Sequence, residues 1–452
     1  MTVSAGQRVL VVGLGVSGNA AARSLIELGA IVRVTEATTS PVIEARARAL
    51  RALGAEVETG GHDIERATGD IAVVSPGIAP DAPIIRSLRA AGVGVIGEIE
   101  LAWQRASCDF LAVTGTNGKT TTTSLLAAML AESEVASLAA GNIGLPLIEA
   151  VGRVPRGGAI AVEVSSFQLE TIESFRPRVA VVLNVAEDHT DWHGSFQAYV
   201  DAKRRVVANQ QAADACVVNL DDEHALSVVS DARSRLVPFS ATGAPADGIG
   251  VRGTSIAWRG SELMAVEDVA LRGVAGLEDS LAAAAAALEY GVGEDAVVRA
   301  MRRFRPLPHR LQTVLEAGGV SYIDDSKATN PHATLSAVRG LHDVVLIAGG
   351  RAKGIDLSPL ASSVPPVIAV IAVGESADVI LKVFDGLVPV ERASSMRDAV
   401  LRARSHAVRG GSVLLAPGCA SLDMYESYAA RGEDFARALR EEVGGSIEGR
   451  QR

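Results

Sequence analysis

Residues 110–132 read Phe-Leu-Ala-Val-Thr-Gly-Thr-Asn-Gly-Lys-Thr-Thr-Thr-Thr-Ser-Leu-Leu-Ala-Ala-Met-Leu-Ala-Glu. An apolar run from Phe110 stops at Thr114, a turn bounded by Gly115 and Gly118 follows, and leucines then recur at helical spacing. That order predicts a buried strand, a tight turn and a helix that begins at Lys119. Free backbone N–H groups and the dipole at a helix start favour an anion. Lys119 adds a point charge, and the Thr120 hydroxyl suits a divalent cation held by a bound phosphate. Gly115, Thr116, Asn117, Gly118, Lys119, Thr120 and Thr121 therefore form a predicted phosphate loop. Its first glycine comes two residues later than in the usual GxxxxGK[ST] spacing, where Val113 would be glycine, which points to a sub-class of P-loop proteins.

On either side of this stretch, apolar runs alternate with helical ones. RVLVVG, IVRVTE, IAVVSPG and GVGVIG precede it, and GEIELAWQRA reads as a connecting helix. AIAVEVSS, VAVVLNV and ACVVNL follow; a less regular stretch of short strands runs from Phe239 to Leu271, and an alanine-rich helix spans Leu281–Tyr290. The proline-rich Phe304–Pro308 reads as a linker. Beyond it come VSYIDD, VVLIAGG, VIAVIAVG, SVLLAPG and a last helix in ARGEDFARALREEV, with GGSIEGRQR as a frayed tail. Strands alternating with helices imply parallel sheets. The expected fold class is α/β in three domains: an N-terminal Rossmann-like parallel sheet (1–97), a central P-loop ATPase-type α/β domain (98–304) and a C-terminal Rossmann-like α/β domain (305–452).

A chain of 452 residues suits several domains, and 48% hydrophobic content suits packed ones. The net charge of −10 leaves no basic stripe for nucleic acid. Cys108, Cys216 and Cys419 are far apart and odd in number, which fits a reducing compartment and no zinc site. Neither a signal-peptide pattern nor an apolar run of membrane-spanning length is seen, so the expected location is cytoplasmic. Only five of the 43 basic side chains are lysine: Lys119, Lys203, Lys327, Lys353 and Lys382. Where arginine is the default cation, a lysine that persists is a candidate for a point charge on phosphate or for an amine that loses its proton.

Gly13-Leu-Gly15-Val16-Ser17-Gly18 follows a strand and opens a helix, with Glu36 at the end of the next strand. That is the setting of a diphosphate at a helix N-terminus, and NAD or a UDP-linked ligand fits it equally. Glu163 ends the strand AIAVE, where a carboxylate beside a phosphate loop suits Mg²⁺. His189, in LNVAEDHTDWH, again directly follows a buried strand, and His193 lies just beyond it. In the last third, Pro308-His-Arg310, Asp324-Asp325-Ser326-Lys327-Ala-Thr329-Asn330, Lys353 in GGRAKGID and Ser421 in APGCASLD cluster after strands. A structural turn explains any one of these; together they favour a site at one sheet edge.

TGTNGKTT, EVSSFQLE, DHTDWH with the following AK, PHR, DDSKATN, GGRAK and CASLDMYESYAARGEDF occur in that order. The chain thereby resembles the Mur ligase family over about residues 7–440, and DDSKATN with CASLD and RGEDF resembles its D-glutamate-adding branch. The resemblance implies an ATP-dependent ligase, with UDP-N-acetylmuramoyl-L-alanine, D-glutamate and ATP as reactants and Mg²⁺ at two sites, acting as a monomer. Gly115 to Thr121, Arg310 and Asp325 would bind ATP, with Lys119 on its γ-phosphate. Gly15, Val16, Ser17, Glu36, Asn142 in GNIG, and His189 would meet the UDP-substrate. Lys327, Thr329, Lys353, Ser421 and Tyr428 would receive D-glutamate. Thr120 and Glu163 would hold one metal ion; His189 and Lys203, the latter as a carbamate, would serve the second. Lys119, Glu163, His189 and Lys203 would be the catalytic set.

Departures from the family accompany these matches. Gly276-Leu-Glu-Asp-Ser280 stands where a histidine-and-asparagine motif touches adenine, Glu36-Ala-Thr38 lacks a frequent arginine, and Tyr428 replaces a phenylalanine. The competing readings are a related ligase for another amino acid, an NAD-dependent dehydrogenase resting on GLGVSG, and a non-catalytic nucleotide-binding regulator.

Overall fold

The computed structural model describes residues 2–63, 68–305 and 307–444. The tail from Gly445 and Pro306 of the expected linker lie outside the described residues. The first sheet joins β1 (Arg8–Val12), β2 (Ile31–Glu36), β3 (Glu56–Thr59), β4 (Ile71–Val74) and β5 (Gly94–Gly97) in the order β3-β2-β1-β4-β5, all parallel. The second holds β6 (Asp109–Thr114), β7 (Ser137–Gly141), β8 (Ala159–Glu163), β9 (Val179–Val182), β10 (Ala215–Asn219), β11 (Arg235–Ser240), β12 (Ile249–Arg252), β13 (Ser255–Trp258) and β14 (Ser261–Ala265). Its order is β14-β13-β12-β11-β10-β9-β6-β8-β7, antiparallel only at the β12–β13 and β13–β14 pairs. The third comprises β15 (Gln312–Ala317), β16 (Val320–Asp324), β17 (Val344–Gly349), β18 (Val367–Val373), β19 (Val390–Arg392) and β20 (Ser412–Leu415), in the order β15-β16-β20-β17-β18-β19, with only β15–β16 antiparallel.

Both faces of these sheets carry helices, which is why the inner strands are continuous apolar runs. In the third sheet, Val345, Ile347, Val413 and Leu415 pack into one core cluster, and Val344, Leu346 and Leu414 into another. This is the two-residue alternation of a strand read on both sides. In the first sheet, Leu10, Val12, Ala72 and Val74 bury against Ile84, Ile85 and Leu88 of the helix Pro83–Ala90.

The described residues fall into two compact units. One carries the first and second sheets; the other carries the third sheet together with residues 186–196 and 269–278. Within the first unit, the helix Glu98–Arg105 brings two buried carboxylates to the join between its sheets. Glu98 accepts from the Ile148 N–H at 2.7 Å, and burial pushes its carboxyl up to about 7. Burial also opposes ionisation of Glu100. There, hydrogen bonds from Ser174, the N–H groups of Glu173 and Phe175, and Gln104 outweigh it and hold the carboxyl below its ordinary range.

The expected strands are all present, GVGVIG as the edge strand β5. Strands β3, β7, β15 and β19, which the apolar pattern did not single out, are edge strands, where one flank lacks a partner and polar residues are tolerated. Strand β11 is internal but contains Pro238, a residue that argues against an inner strand. The alanine-rich helix starts at Gly273, earlier than Leu281. Its early glycines weigh against helix, but at Gly276 a side chain would press within 3.0 Å of the Leu271 backbone, so close packing selects glycine there.

Candidate functional site

Strand β6 lies between β8 and β9, so the chain turns to opposite sides of it, and the loop 115–118 opens at such a switch point. Gly118 has φ +82° and caps the helix Lys119–Glu132; a Cβ there would collide with Asp279 Oδ1. Asp279 also accepts from Thr122 Oγ1 at 3.2 Å. Asn184 braces the loop from the end of β9: its carbonyl accepts from Thr116 N–H and its side-chain oxygen from Asn117 N–H, each at 2.9 Å. Lys119 curls back, its Nζ donating to the carbonyls of Gly115 at 3.0 Å and Thr116 at 2.8 Å. Thr120 and Thr121 occupy the first turn of the helix.

Two groups that the sequence reads as metal-associated meet this loop. Glu163, at the end of β8, is 2% exposed and in register with Val113 of β6. Its Oε1 accepts from Asn142 Nδ2 at 2.8 Å, while its buried Oε2 has no hydrogen-bond partner. A buried carboxylate oxygen with a vacant lone pair beside a phosphate loop fits a divalent cation. Lys203, on the helix Phe196–Arg204, is 1% exposed; its Nζ donates to the Gly115 carbonyl at 2.6 Å and lies 4.4 Å from the Tyr199 ring centroid. Tyr199 Oη in turn meets Thr116 Oγ1 at 3.1 Å. Among the described residues no group of three or more His, Cys, Asp or Glu side chains gathers as a metal site. The expected donors are one hydroxyl, one carboxylate, one imidazole and one modified amine, a set that such a cluster would not contain.

The glycine turn after β1 sits at the switch point of the first sheet. Gly15 precedes the helix Val16–Glu27, which places Val16 and Ser17 in its first turn. At Gly18 a Cβ would collide with the Gly13 carbonyl, so glycine is required for that close approach. Glu36 accepts from Leu14 N–H at 2.6 Å and from both the N–H and hydroxyl of Thr38. Burial opposes its ionisation, but these bonds prevail and hold its carboxyl below the ordinary range. Arg46 donates to the Leu14 carbonyl at 3.0 Å, a cation at this turn that sequence reasoning did not find.

In the second unit, His189 has φ +54° and precedes the short helix Thr190–His193. Its N–H donates to Asp188 Oδ1, and Asp188 Oδ2 accepts from Asn330 Nδ2 at 3.1 Å, so the DHTDWH segment is tied to the end of DDSKATN. Asn330 also caps the helix Pro331–Val338 through the Ala333 N–H. His309 Nδ1 pairs with the buried Asp324 at 2.7 Å. Asp325 accepts from Leu311 N–H at 3.2 Å; burial pushes its carboxyl up to about 7, Asp324 adding to the shift and neighbouring Arg310 opposing it. Lys327 Nζ stands 4.0 Å over the Tyr428 ring, whose edge meets His309. Thr329 follows, half-buried. Lys353 is exposed with φ +55°, and Ser421 is buried. The loops that carry these last two are joined by paired backbone hydrogen bonds between Arg351 and Ala420.

The predicted residues thus gather as three groups: the glycine turn of the first sheet, the phosphate loop with Glu163, Asn142 and Lys203, and the strand ends of the third sheet. Asn184, Asp279, Tyr199 and Asp188 were missed as supports. Asn184 and Asp188 lie in the quoted LNVAEDH run, so strand-end placement was the available signal; Asp279 and Tyr199 carry no local signal. Arg431 lies in the RGEDF motif and is 2% exposed, and neither spacing nor strand-end placement points to a role for it.

Three family profiles match the chain: the Mur ligase MurD-like N-terminal domain at residues 7–97, the Mur ligase middle domain at 113–287, and the Mur ligase glutamate ligase domain at 309–419. A protein of Frankia casuarinae named UDP-N-acetylmuramoylalanine--D-glutamate ligase is 45% identical over 97% of this chain and 95% of its own. One of the same name from Acidobacterium capsulatum is 42% identical over 95% of each chain. Among solved structures, MurF from Acinetobacter baumannii aligns with a TM-score of 0.60 at 17% identity over 91% of each chain. UDP-N-acetylmuramate-alanine ligase MurC from Thermotoga maritima aligns at 0.58 and 19% identity, over 96% of this chain and 99% of its own. At such identities the structural likeness concerns the fold.

Proposed function

The chain belongs to the Mur ligase family, and from that membership we propose that it joins D-glutamate to UDP-N-acetylmuramoyl-L-alanine at the expense of ATP, a step of peptidoglycan precursor synthesis in the cytoplasm. The observation that carries this reading is 45% identity over 97% of the chain to a relative bearing that activity in its name. The chain acts as a monomer, with the UDP-substrate bound by residues 1–97, ATP by 98–304 and D-glutamate by 305–452. No helix among the described residues is long and apolar enough to cross a membrane.

A carboxylate is a poor acceptor for an amine, so the carboxylate oxygen of the L-alanyl group first attacks the γ-phosphorus. The bond to ADP breaks and an acyl phosphate forms. The D-glutamate nitrogen then attacks the acyl carbon; the tetrahedral intermediate collapses, orthophosphate leaves, and the amine proton passes to solvent. Backbone N–H groups of 115–121 hold the phosphates, and Lys119 exchanges its bonds to Gly115 and Thr116 for the γ-phosphate. Arg310 and Asp325 hold the rest of the nucleotide. Gly15, Val16, Ser17, Glu36, Asn142 and His189 hold the UDP-substrate. The two carboxylates of D-glutamate suit the cations and hydroxyls of Lys327, Thr329, Lys353 and Ser421, beside the Tyr428 ring. Thr120 and Glu163 would hold one Mg²⁺, and His189 with carbamylated Lys203 would serve a second; bound there, such ions would supply positive charge against the transferring phosphoryl group.

ADP release with UDP-N-acetylmuramoyl-L-alanine, ATP, Mg²⁺ and a panel of amino acids tests the reading: turnover is expected with D-glutamate. Lys119→Ala is expected to lower it by on the order of 10³-fold with the protein still folded. No amide from the three reactants, or turnover with NAD and a hydroxy acid instead, overturns the reading.

A further inference from the structure

Arg431 is 2% exposed, yet no carboxylate hydrogen-bonds it. Its Nη1 donates to the Cys419 carbonyl at 3.1 Å, and its Nη2 to the Ser326 carbonyl at 2.8 Å and the Cys419 carbonyl at 3.1 Å. Its buried Nε has no partner. A guanidinium hydrogen-bonded by carbonyls alone, with Asp423 and Asp324 acting on it only through space, is costly to bury, and a packed apolar side chain would fill the same space at less cost. The burial also pulls its pKa down to about 10, which still leaves it charged.

What Arg431 spans gives that cost a purpose. The side chain leaves the helix Tyr428–Leu439 and crosses beneath the ends of three strands. Ser326, which it holds after β16, adjoins Lys327 and precedes Thr329 by three. Cys419, which it holds after β20, precedes Ser421 by two. Gly350, after β17, lies so close that a Cβ there would sit 3.2 Å from Arg431 Nη1; Lys353 follows three residues on. Tyr428 is on Arg431's own helix, one turn earlier. A single planar fork therefore touches every segment that carries a residue proposed for the amino acid. Lysine cannot replace it, because one ammonium on a flexible stem does not hold two separated carbonyls in a fixed plane.

We propose that Arg431 is the positioning residue of the amino-acid site: its guanidinium locks the loops after β16 and β20 in one register, so that Lys327, Thr329, Lys353 and Ser421 address a single dicarboxylic amino acid. The proposal rests on the assignment of those residues to the amino acid. It acts through them and makes no contact with substrate itself.

The test is steady-state kinetics on full-length Arg431→Lys and Arg431→Met, with each of the three reactants varied in turn and thermal unfolding followed alongside. KM for D-glutamate is expected to rise about tenfold or more in both variants. KM for ATP and for the UDP-substrate should change less than about twofold. Equal loss across all three reactants, a fall in kcat alone, or recovery of the D-glutamate KM in Arg431→Lys overturns the proposal. Should Arg431→Met fail to fold, Arg431→Lys, which keeps the charge and most of the volume, carries the same split. If the wild-type protein takes another amino acid, the split is read on that KM, so the D-glutamate assignment can fall while the role of Arg431 stands.

Discussion

The phosphate loop and the end of the third sheet both handle anions, but they deliver positive charge differently. At the loop, backbone N–H groups and one lysine do so within a single turn, and the polar atoms already lean on one another: Lys119 on Gly115 and Thr116, Lys203 on Gly115. At the third sheet, side chains do so from loops that lie far apart in sequence, with Lys327 over Tyr428, Lys353 in solvent and Ser421 buried. A backbone cradle needs a contiguous sequence with glycine where the chain must bend. A side-chain site needs its loops held together, and a buried arginine with paired backbone bonds does that. The first kind is broken by changing the chain's conformation, the second by removing what links its parts.

Lys203 should give the largest effect. It is fully buried beside the loop, where an ordinary lysine would set a cation against Mg²⁺. As a carbamate it keeps one N–H for the Gly115 carbonyl and gains a negative charge. Lys203→Ala should lower turnover by on the order of 10³-fold, and formate or acetate should restore part of it by replacing the carboxylate. Loss of stability with no rescue by any short carboxylate would make Lys203 a packing residue and remove the modified amine from the first region. Gly118→Ala comes next. The substitution forces a side chain to φ +82° and into Asp279 Oδ1, a strain of about 1–3 kcal/mol. Equilibrium unfolding should show that loss, and KM for ATP should rise about tenfold with KM for D-glutamate nearly unchanged. If both KM values moved together, the two regions would not be separable in the way their construction implies.

The same contrast explains what the sequence disclosed. The strand, turn and helix of 110–132 are legible because each residue's reason is local: apolar burial at Phe110–Val113, φ freedom at Gly118, charge at Lys119. Inner strands such as VVLIAGG announce themselves because both faces are covered. Edge strands such as Glu56–Thr59 and Val390–Arg392 do not, because half their environment is solvent. DDSKATN and CASLD read as polar strand ends, but nothing local says that Arg431 joins them. Nor does the sequence say that Asp279, 160 residues after Lys119, closes over Thr122. Such contacts belong to the tertiary arrangement and have no period or spacing that a linear reading detects. Glu36 is a similar case: its strand-end place is legible in the sequence, but not that its carboxylate also accepts from Leu14 of the glycine turn and from Thr38 just beyond its strand.

The smallest expected effect tests whether the third-sheet site carries a cost in stability. Asp325 is moved from an ordinary 3.8 to about 7, first by burial. A carboxyl whose folded-state pKa is raised holds its proton more tightly in the folded protein. The stability this confers is complete below about pH 4 and is lost as pH rises through about 7. Asparagine has no such titration and keeps an oxygen for the Leu311 N–H. Asp325→Asn should therefore match or trail the wild type near pH 4 and overtake it as pH rises. By about pH 8 it should be the more stable by on the order of 1–3 kcal/mol in urea unfolding. It should at the same time bind ATP less well, because Asp325 is among the residues proposed to hold the nucleotide and an amide carries no charge and has one acceptor oxygen where a carboxylate has two. A wild-type-to-variant gap that stays flat from about pH 4 to pH 8 would mean that the carboxyl is ionised without penalty. The third sheet would then be as self-satisfied as the phosphate loop, and the cost of its assembly would lie with Arg431 alone.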